Sequence, residues 1–381
     1  MKLTLISLMA WLCSTVIMAP DENDKVAFGQ YATLVQQTIT SRMGSEFSEF
    51  QTSNERNDEL FDPVLKANQG GAFVAIGAEQ SYNMAAVGNP QIMILIDYNP
   101  KISLLHLVYR SAFLRASTPE AWLDLFKKEA RARLESFVLR DCRGLGLDAE
   151  LKSVMQTFYD QPHWAVSTII EQPFYDSLLR VAKRARRVAP NNPDDERTEL
   201  VPTFLNEKKY FDSVRSMYAE DRVLILSGDI ANTDLWRQID EIALSKNVQV
   251  KNIYVSNAHQ RRYQQQGVGR FVQGVTSLRG NPLLLTTRRP ETMILDFYTP
   301  NDPQVEEVMG RKWSSVRELG EGIGGMLSWD YCAVPVKDLA EEYTRSANQT
   351  KAYVEKMKQD KTKKIPEEAI KQIELAICVG L

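Results

Sequence analysis

Two short apolar runs, Ala72 to Ile76 and Ile92 to Ile96, are each closed by a polar turn and set the fold class of this chain. Neither run alternates with polar residues, so both fit strands covered on both faces, as in a parallel sheet. The stretch Gly70 to Pro100 therefore reads as strand, polar turn, short helix, turn, strand. The first run ends in Gly77-Ala78-Glu79-Gln80, the second in Asp97-Tyr98-Asn99-Pro100. Ligands of open parallel sheets bind beyond the carboxyl ends of the strands. An acidic residue closing the second strand is where nucleoside-binding folds hold ribose hydroxyls. The stretch has one usable glycine, no G-x-G-x-x-G and no P-loop lysine, so it argues for a fold and not for a reaction.

The chain has 381 residues, enough for one large domain or two ordinary ones. Its formal net charge of -3 gives no global basic field, and no nucleic-acid partner is expected. With three histidines (His106, His163, His259) and no C-x-x-C spacing, a dedicated zinc site is not expected. Lys2 followed by the uncharged segment Leu3 to Ala19 and then Asp21, Glu22 and Asp24 reads as a signal peptide over residues 1–19. The expected location is then periplasmic or secreted, and otherwise cytoplasmic. No later segment is apolar enough to span a membrane. Once the signal and Cys13 are gone, Cys142, Cys332 and Cys378 allow one disulfide and one thiol, in a pairing the spacing leaves open.

Along the chain, residues 25–45 read as an amphipathic entry helix. Ser103 is read as the cap of a helix from about Leu104 to Arg115, which brings His106, Tyr109, Arg110 and Phe113 to one face. Residues 119–190 are mostly helical by period, starting at Thr118-Pro119-Glu120. The basic run Lys183 to Arg187 reads as a solvated helix end. A second α/β half follows. Arg222 to Leu226 is a strand closed by Ser227-Gly228-Asp229, and Asn232 or Thr233 caps a helix through Leu244. Val248 to Val255 is a strand closed by Ser256-Asn257, with His259 beyond. Leu283 to Leu285 and Met293 to Phe297 read as further strands. The remainder is read as helical with a flexible break at Gly320 to Gly325. The organisation expected is a signal at 1–19, a Rossmann-like α/β domain over 20–330 with a helical insertion at about 103–190, and a helical extension at 331–381. The sheet is expected to be mostly parallel with helices on both faces.

Several segments resemble a family of uncharacterised bacterial proteins with a class I, Rossmann-like methyltransferase fold. They are Ser53-Asn54-Glu55, Ile76 to Tyr82, Ile96-Asp97, His106 to Phe113, Thr203 to Glu207, Gly228-Asp229 and Tyr254 to Asn257. The resemblance implies a pocket for S-adenosylmethionine and leaves the substrate, small molecule or protein, unidentified. Under it, Gly77, Glu79 and Gln80 approach the cofactor's amino-acid part and Asp97 holds its ribose. Asp229 serves the adenine or transfer end. Asn54, His106, Tyr109, Arg110 and Asn257 are the substrate-binding candidates, and Glu55 or His259 is the candidate base.

Two features pull away from that pattern. The first loop lacks the usual second glycine, and export would carry the protein away from S-adenosylmethionine. An exported, non-catalytic ligand-binding or interaction protein on the same scaffold is therefore the alternative. A hydrolase built on His106 or His259 is weaker, because no G-x-S-x-G elbow is present.

Overall fold

The computed structural model describes residues 31–41, 58–160, 163–164, 171–172, 174–187, 198–256, 258, 268–287, 315–318, 329–339, 341 and 355. The expected signal (1–19), Met293 to Phe297, Gly320 to Gly325 and nearly all of the C-terminal extension lie outside the described residues. So do the site candidates Asn54, Glu55, Asn257 and His259.

Helices α1 (Ala32–Thr40) and α2 (Asp62–Ala67) precede the first strand, β1 (Ala72–Ile76). Helix α3 (Gln80–Gly88) leads to β2 (Ile92–Asp97) and then α4 (Pro100–Arg115). Helices α5 (Pro119–Asp124), α6 (Arg131–Asp141) and α7 (Asp148–Asp160) follow. Next come the two-stranded pair β3 (His163–Trp164) and β4 (Glu171–Gln172), α8 (Phe174–Ala182), and the pair β5 (Ala185–Arg187) and β6 (Thr198–Leu200). The chain returns to the main sheet through α9 (Lys208–Ala219), β7 (Val223–Ser227), α10 (Thr233–Ser245), β8 (Val250–Ser256), α11 (Val268–Thr276) and β9 (Leu283–Thr286). Strands β10 (Ser315–Glu318) and β11 (Trp329–Pro335) complete it.

The main sheet has the order β10-β11-β9-β8-β1-β2-β7. Strands β9, β8, β1, β2 and β7 are parallel, whereas β11 runs antiparallel to β9 and β10. Every residue of β1 and β7 is buried, as unbroken apolar runs in a doubly covered sheet require. From β1 to β2 to β7 the chain steps one way across the sheet, then doubles back to place β8 on the other side of β1. Right-handed crossovers put α3, α4 and α9 on one face and α10 and α11 on the other. The packing agrees, with α9 against α3 and α4, and α10 against α11. Along the outer strand, α1 packs on β7, and the Ser227 N–H donates to Thr38 Oγ1 at 3.3 Å.

Helix α4 lies between the sheet and the inserted helices, touching β2 and β7 on one side and α6 and α7 on the other. That sandwich buries Pro100 and every residue from Ile102 to Phe113, the polar Ser103, His106, Tyr109, Arg110 and Ser111 among them. The helix begins earlier than the Ser103 cap expected from sequence. Asn99 is the N-cap, its Oδ1 accepting the Lys101 N–H at 3.0 Å, and Pro100 occupies the first turn. Ser103 instead donates its hydroxyl to the Leu226 carbonyl at 2.9 Å and fastens α4 to β7. The caps read at Thr118 and Asn232 are observed. Tyr331 to Pro335, where helix was expected, is strand. Its residues pair with Leu283 to Thr286 and with Ser315 and Val316, and the sheet neighbour decides the conformation.

The basic run is also not a plain solvated end. Lys183 is exposed, but Arg184 turns inward and bonds Asp58 through Nη1 and Glu59 through Nη2, the latter at 3.2 Å. The other Asp58 oxygen accepts from Asn83 Nδ2 at 3.0 Å, and Asn83 Oδ1 accepts the Phe204 N–H at 3.0 Å. Asn206 donates to the Ala182 and Val201 carbonyls and accepts the Thr203 N–H. Thr203 to Asn206 thus joins the β5–β6 hairpin to the sheet-facing helices. Asp58 is 2% exposed, so removing its guanidinium partner leaves a buried charge. Arg184→Ala is expected to lower unfolding free energy by about 3–5 kcal/mol, read from urea titration.

Candidate functional site

The chain reverses between β1 and β8, and the crevice beyond the carboxyl ends of the strands at such a reversal is the usual ligand position in open parallel sheets. On the β1 side the wall is Gly77, at φ +90, a conformation costly for any side-chain-bearing residue. A Cβ here would stand 2.7 Å from Gln80 Nε2, because the Gln80 side chain folds back over the glycine. On the β8 side the wall is Ser256, at φ +53. The Ser256 carbonyl accepts from Thr286 Oγ1 at 2.9 Å and the Thr287 N–H at 3.1 Å, tying it to the end of β9.

Asp97 ends β2 and is half-buried. Its Oδ1 accepts the Asn99 N–H at 2.8 Å, holding the carboxylate just beyond the strand. Its carbonyl accepts from the Gly228 N–H at 2.9 Å and the Ser227 hydroxyl at 3.2 Å, which locks the loops after β2 and β7 together. Asp229, in the second of these loops, accepts the Ala231 N–H at 2.9 Å. Gly77, Gln80, Asp97 and Asp229 therefore all lie at the carboxyl edge of the sheet. Glu79 is in the same turn but 2% exposed, and Gln80 is 5% exposed, its Oε1 lacking a hydrogen-bond partner among the described residues.

The structure places His106, Tyr109 and Arg110 in the protein interior, on α4, at 1%, 0% and 2% exposure. His106 Nε2 lies 2.9 Å from the Gly77 carbonyl oxygen, and Nδ1 lies 2.6 Å from the Tyr82 hydroxyl. The Tyr82 hydroxyl is 2.8 Å from that of Tyr218. The direction of this chain follows from chemistry. A carbonyl oxygen only accepts, so Nε2 carries the hydrogen, and Nδ1 of the neutral ring must then accept from Tyr82. Tyr82 has spent its one hydrogen, so Tyr218 donates to it.

Burial pushes the imidazole down to about 4 against the Gly77 bond, which favours the charged form, and pushes both phenols up. The Tyr109 hydroxyl has no hydrogen-bond partner among the described residues, and burial, with Glu79 nearby, raises its pKa well above the usual value. Arg110 Nη2 is 3.8 Å from Asp221 Oδ1. Asn54, Glu55, Asn257 and His259 lie outside the described residues.

Sequence reasoning missed Tyr82 and Tyr218 as partners of His106. The available signal was a lone histidine on a helix apolar nearly all round, since a buried ring nitrogen demands a partner. Among the described residues no group of three His, Cys, Asp or Glu side chains is arranged to hold a metal ion. None of the described helices is long and apolar enough to cross a membrane.

Residues 50–293 match the family described as "Domain of unknown function (DUF7790)". The chain belongs to this family. No curated protein matches the chain. The DUF7790 region includes the five parallel strands, the relay residues Tyr82, His106 and Tyr218, and both walls of the crevice. Strands β10 and β11 lie beyond it.

The histidine of the DUF7790 relay makes a pH-dependent contribution whose sign is fixed. Its folded pKa lies below the ordinary histidine value of 6.5, so the unfolded chain binds more protons between about 6.5 and 4. The contribution is complete above 6.5 and is lost as pH falls toward 4. Between pH 7 and 4.5, wild type is expected to lose about 2 kcal/mol relative to His106→Gln, read as the difference between their urea unfolding curves at the two pH values.

Proposed function

We propose that this DUF7790 chain is a methyltransferase-like protein that binds S-adenosylmethionine or a related nucleoside in the crevice between β1 and β8. The observation that carries the reading is the strand order. Among the seven described strands of the main sheet, the last in chain order is inserted antiparallel between the fifth and sixth. This is the arrangement of the class I methyltransferase fold that the sequence resembles. The donor set supports it too. The turns Gly77 to Gln80 and Asp97 to Asn99 contain acceptors and no basic side chain. They suit a ribose diol and a cationic amino-acid end better than a phosphate.

In this reading Asp97 accepts from the ribose hydroxyls, and Gly77 gives the ligand close access to backbone. Gln80 Oε1, buried and without a partner among the described residues, accepts from the ligand's ammonium group, with Glu79 adding negative charge to the same turn. Asp229 serves the adenine or transfer end. Bound S-adenosylmethionine supplies an activated methyl group. The chain's part is to align an acceptor with it and, where that acceptor carries a proton, to remove the proton. Glu55 and His259 are the proposed bases, and Asn54 and Asn257 the proposed substrate contacts. With residues 1–19 as an export signal, the protein acts outside the cytoplasm in which it is made, or inside another cell.

The position of Gln80 over Gly77 favours a second reading, an exported interaction protein on a methyltransferase-like scaffold, because the chain's own side chain covers the glycine. Calorimetric titration of the chain without residues 1–19 separates the two. S-Adenosylhomocysteine is expected to bind in the micromolar range, about -8 kcal/mol. Asp97→Ala should abolish that binding while the protein keeps a cooperative urea transition, its midpoint lowered only by the loss of the Asn99 hydrogen bond. Gln80→Leu should weaken S-adenosylhomocysteine and leave 5′-methylthioadenosine, which lacks the amino-acid end, unaffected. Absence of heat with either ligand would leave the scaffold reading.

A further inference from the structure

Three polar side chains from three helices are committed to a single backbone carbonyl. Tyr218 on α9 donates to Tyr82 on α3, Tyr82 donates to His106 on α4, and His106 donates to Gly77 O at the end of β1. None of the three is more than 1% exposed. Their surroundings are aromatic, with Tyr82 within 5.4–6.1 Å, centroid to centroid, of His106, Tyr109, Phe113, Phe204 and Tyr218. Phenylalanines would pack in such a cluster without the cost of burying three polar groups. What a wholly apolar cluster lacks is a directional donor at the Gly77 carbonyl.

We propose that His106 is a positioning residue of the Gly77–Gln80 loop, held in its Nε2–H tautomer by Tyr82 and Tyr218 so that the Gly77 carbonyl stays turned into the protein. Gly77 sits at φ +90, where a glycine has ready alternatives, and the bond from below selects one of them. Holding the carbonyl inward fixes the course of the next three residues, which carry Glu79 and Gln80 into the crevice turn. The relay is a support beneath the site and makes no ligand contact of its own. Its effect on ligand binding rests on the nucleoside reading above; its effect on the loop does not.

The test compares His106→Phe, which removes the donor, with His106→Gln, whose carboxamide N–H can again reach the Gly77 oxygen. Both are made in the full chain and studied without ligand by hydrogen exchange. In His106→Phe the amides of residues 77–80 should exchange about tenfold faster, the loss of roughly one hydrogen bond, while amides of α3 from Ser81 onward and of α4 keep their wild-type rates. His106→Gln should restore most of the protection. Wild-type exchange at 77–80 in His106→Phe, or equal loosening throughout α3 and α4 in both variants, would overturn the proposal.

A measurement on the unmodified protein guards against a variant that fails to fold. The ¹⁵N imidazole spectrum should show His106 neutral and protonated on Nε2 at pH 7, and a proton on Nδ1 refutes the relay. In the ligand arm, S-adenosylhomocysteine should bind His106→Phe about tenfold more weakly, the cost of a less populated competent loop, with recovery in His106→Gln. An unchanged affinity beside a loosened loop also counts against positioning. If wild type binds no nucleoside, the functional reading fails, and the exchange and tautomer results still decide the role of His106.

Discussion

Strand β1 is hydrogen-bonded in parallel on both edges, to β2 through Ala72–Ile76 and to β8 through Ala72–Ala75, and the positions of the other elements follow from that pairing. A strand flanked in this way has no open edge, and helices on both faces of the sheet make its residues apolar without alternation. Its two neighbours are reached by crossovers on opposite faces, because the chain steps one way through β2 and β7 and then returns past β1 to β8 with the same handedness. The divergence of those crossovers is what leaves a crevice above β1 and β8. A turn containing Gly77 then becomes the natural lining of that crevice, and Asp97, one strand over, its natural acidic neighbour.

Below that turn the interior is unusually polar for so well buried a region. Helix α4 supplies His106, Tyr109, Arg110 and Ser103 between two apolar layers, and each polar group that is satisfied joins separate elements. Ser103 joins α4 to β7, and His106 joins it to β1 and α3. The Asp58–Arg184–Glu59 cluster does the same between the segment before β1 and the inserted hairpin. Directional bonds fix the relative register of helices that apolar contact alone would leave free to slide. The inserted helices are thus anchored to the same layer that supports the crevice.

Local patterns account for what was legible beforehand. The unbroken apolar runs announced β1, β2, β7 and β8 to within about two residues, and Thr118-Pro119 and Asn232 announced their helices. The start of α4 was equally local, since Asn99-Pro100 is a cap followed by a first-turn proline, but Ser103 offered a competing cap. The misreadings have non-local causes. Arg184 is one of four basic residues in a run, and only the fold brings Asp58 and Glu59 to it. Tyr331 to Pro335 takes its conformation from β9 and β10. The relay was out of reach for the same reason, since Tyr82 and Tyr218 meet only after α3 and α9 have packed. Of the crevice, the Gly77 to Gln80 turn, Asp97 and Asp229 were readable as polar residues ending apolar runs.

Residues 98–222 separate β2 from β7, and the partner of Ala72 on the other edge of β1 is Val250. A chain that emerges from the ribosome in order can join β1 to β2 early, across a connection of about one short helix. It cannot close the second edge of β1 until more than half of its length has been made. Loop-closure entropy has to be met before such distant parallel pairs reward it, so this step is intrinsically slow. Until then β1 presents an apolar edge with open main-chain groups, and there is no crevice at all. A ligand of the proposed site would therefore be confined to chains in which β8 has docked, and its binding would select for completed folding.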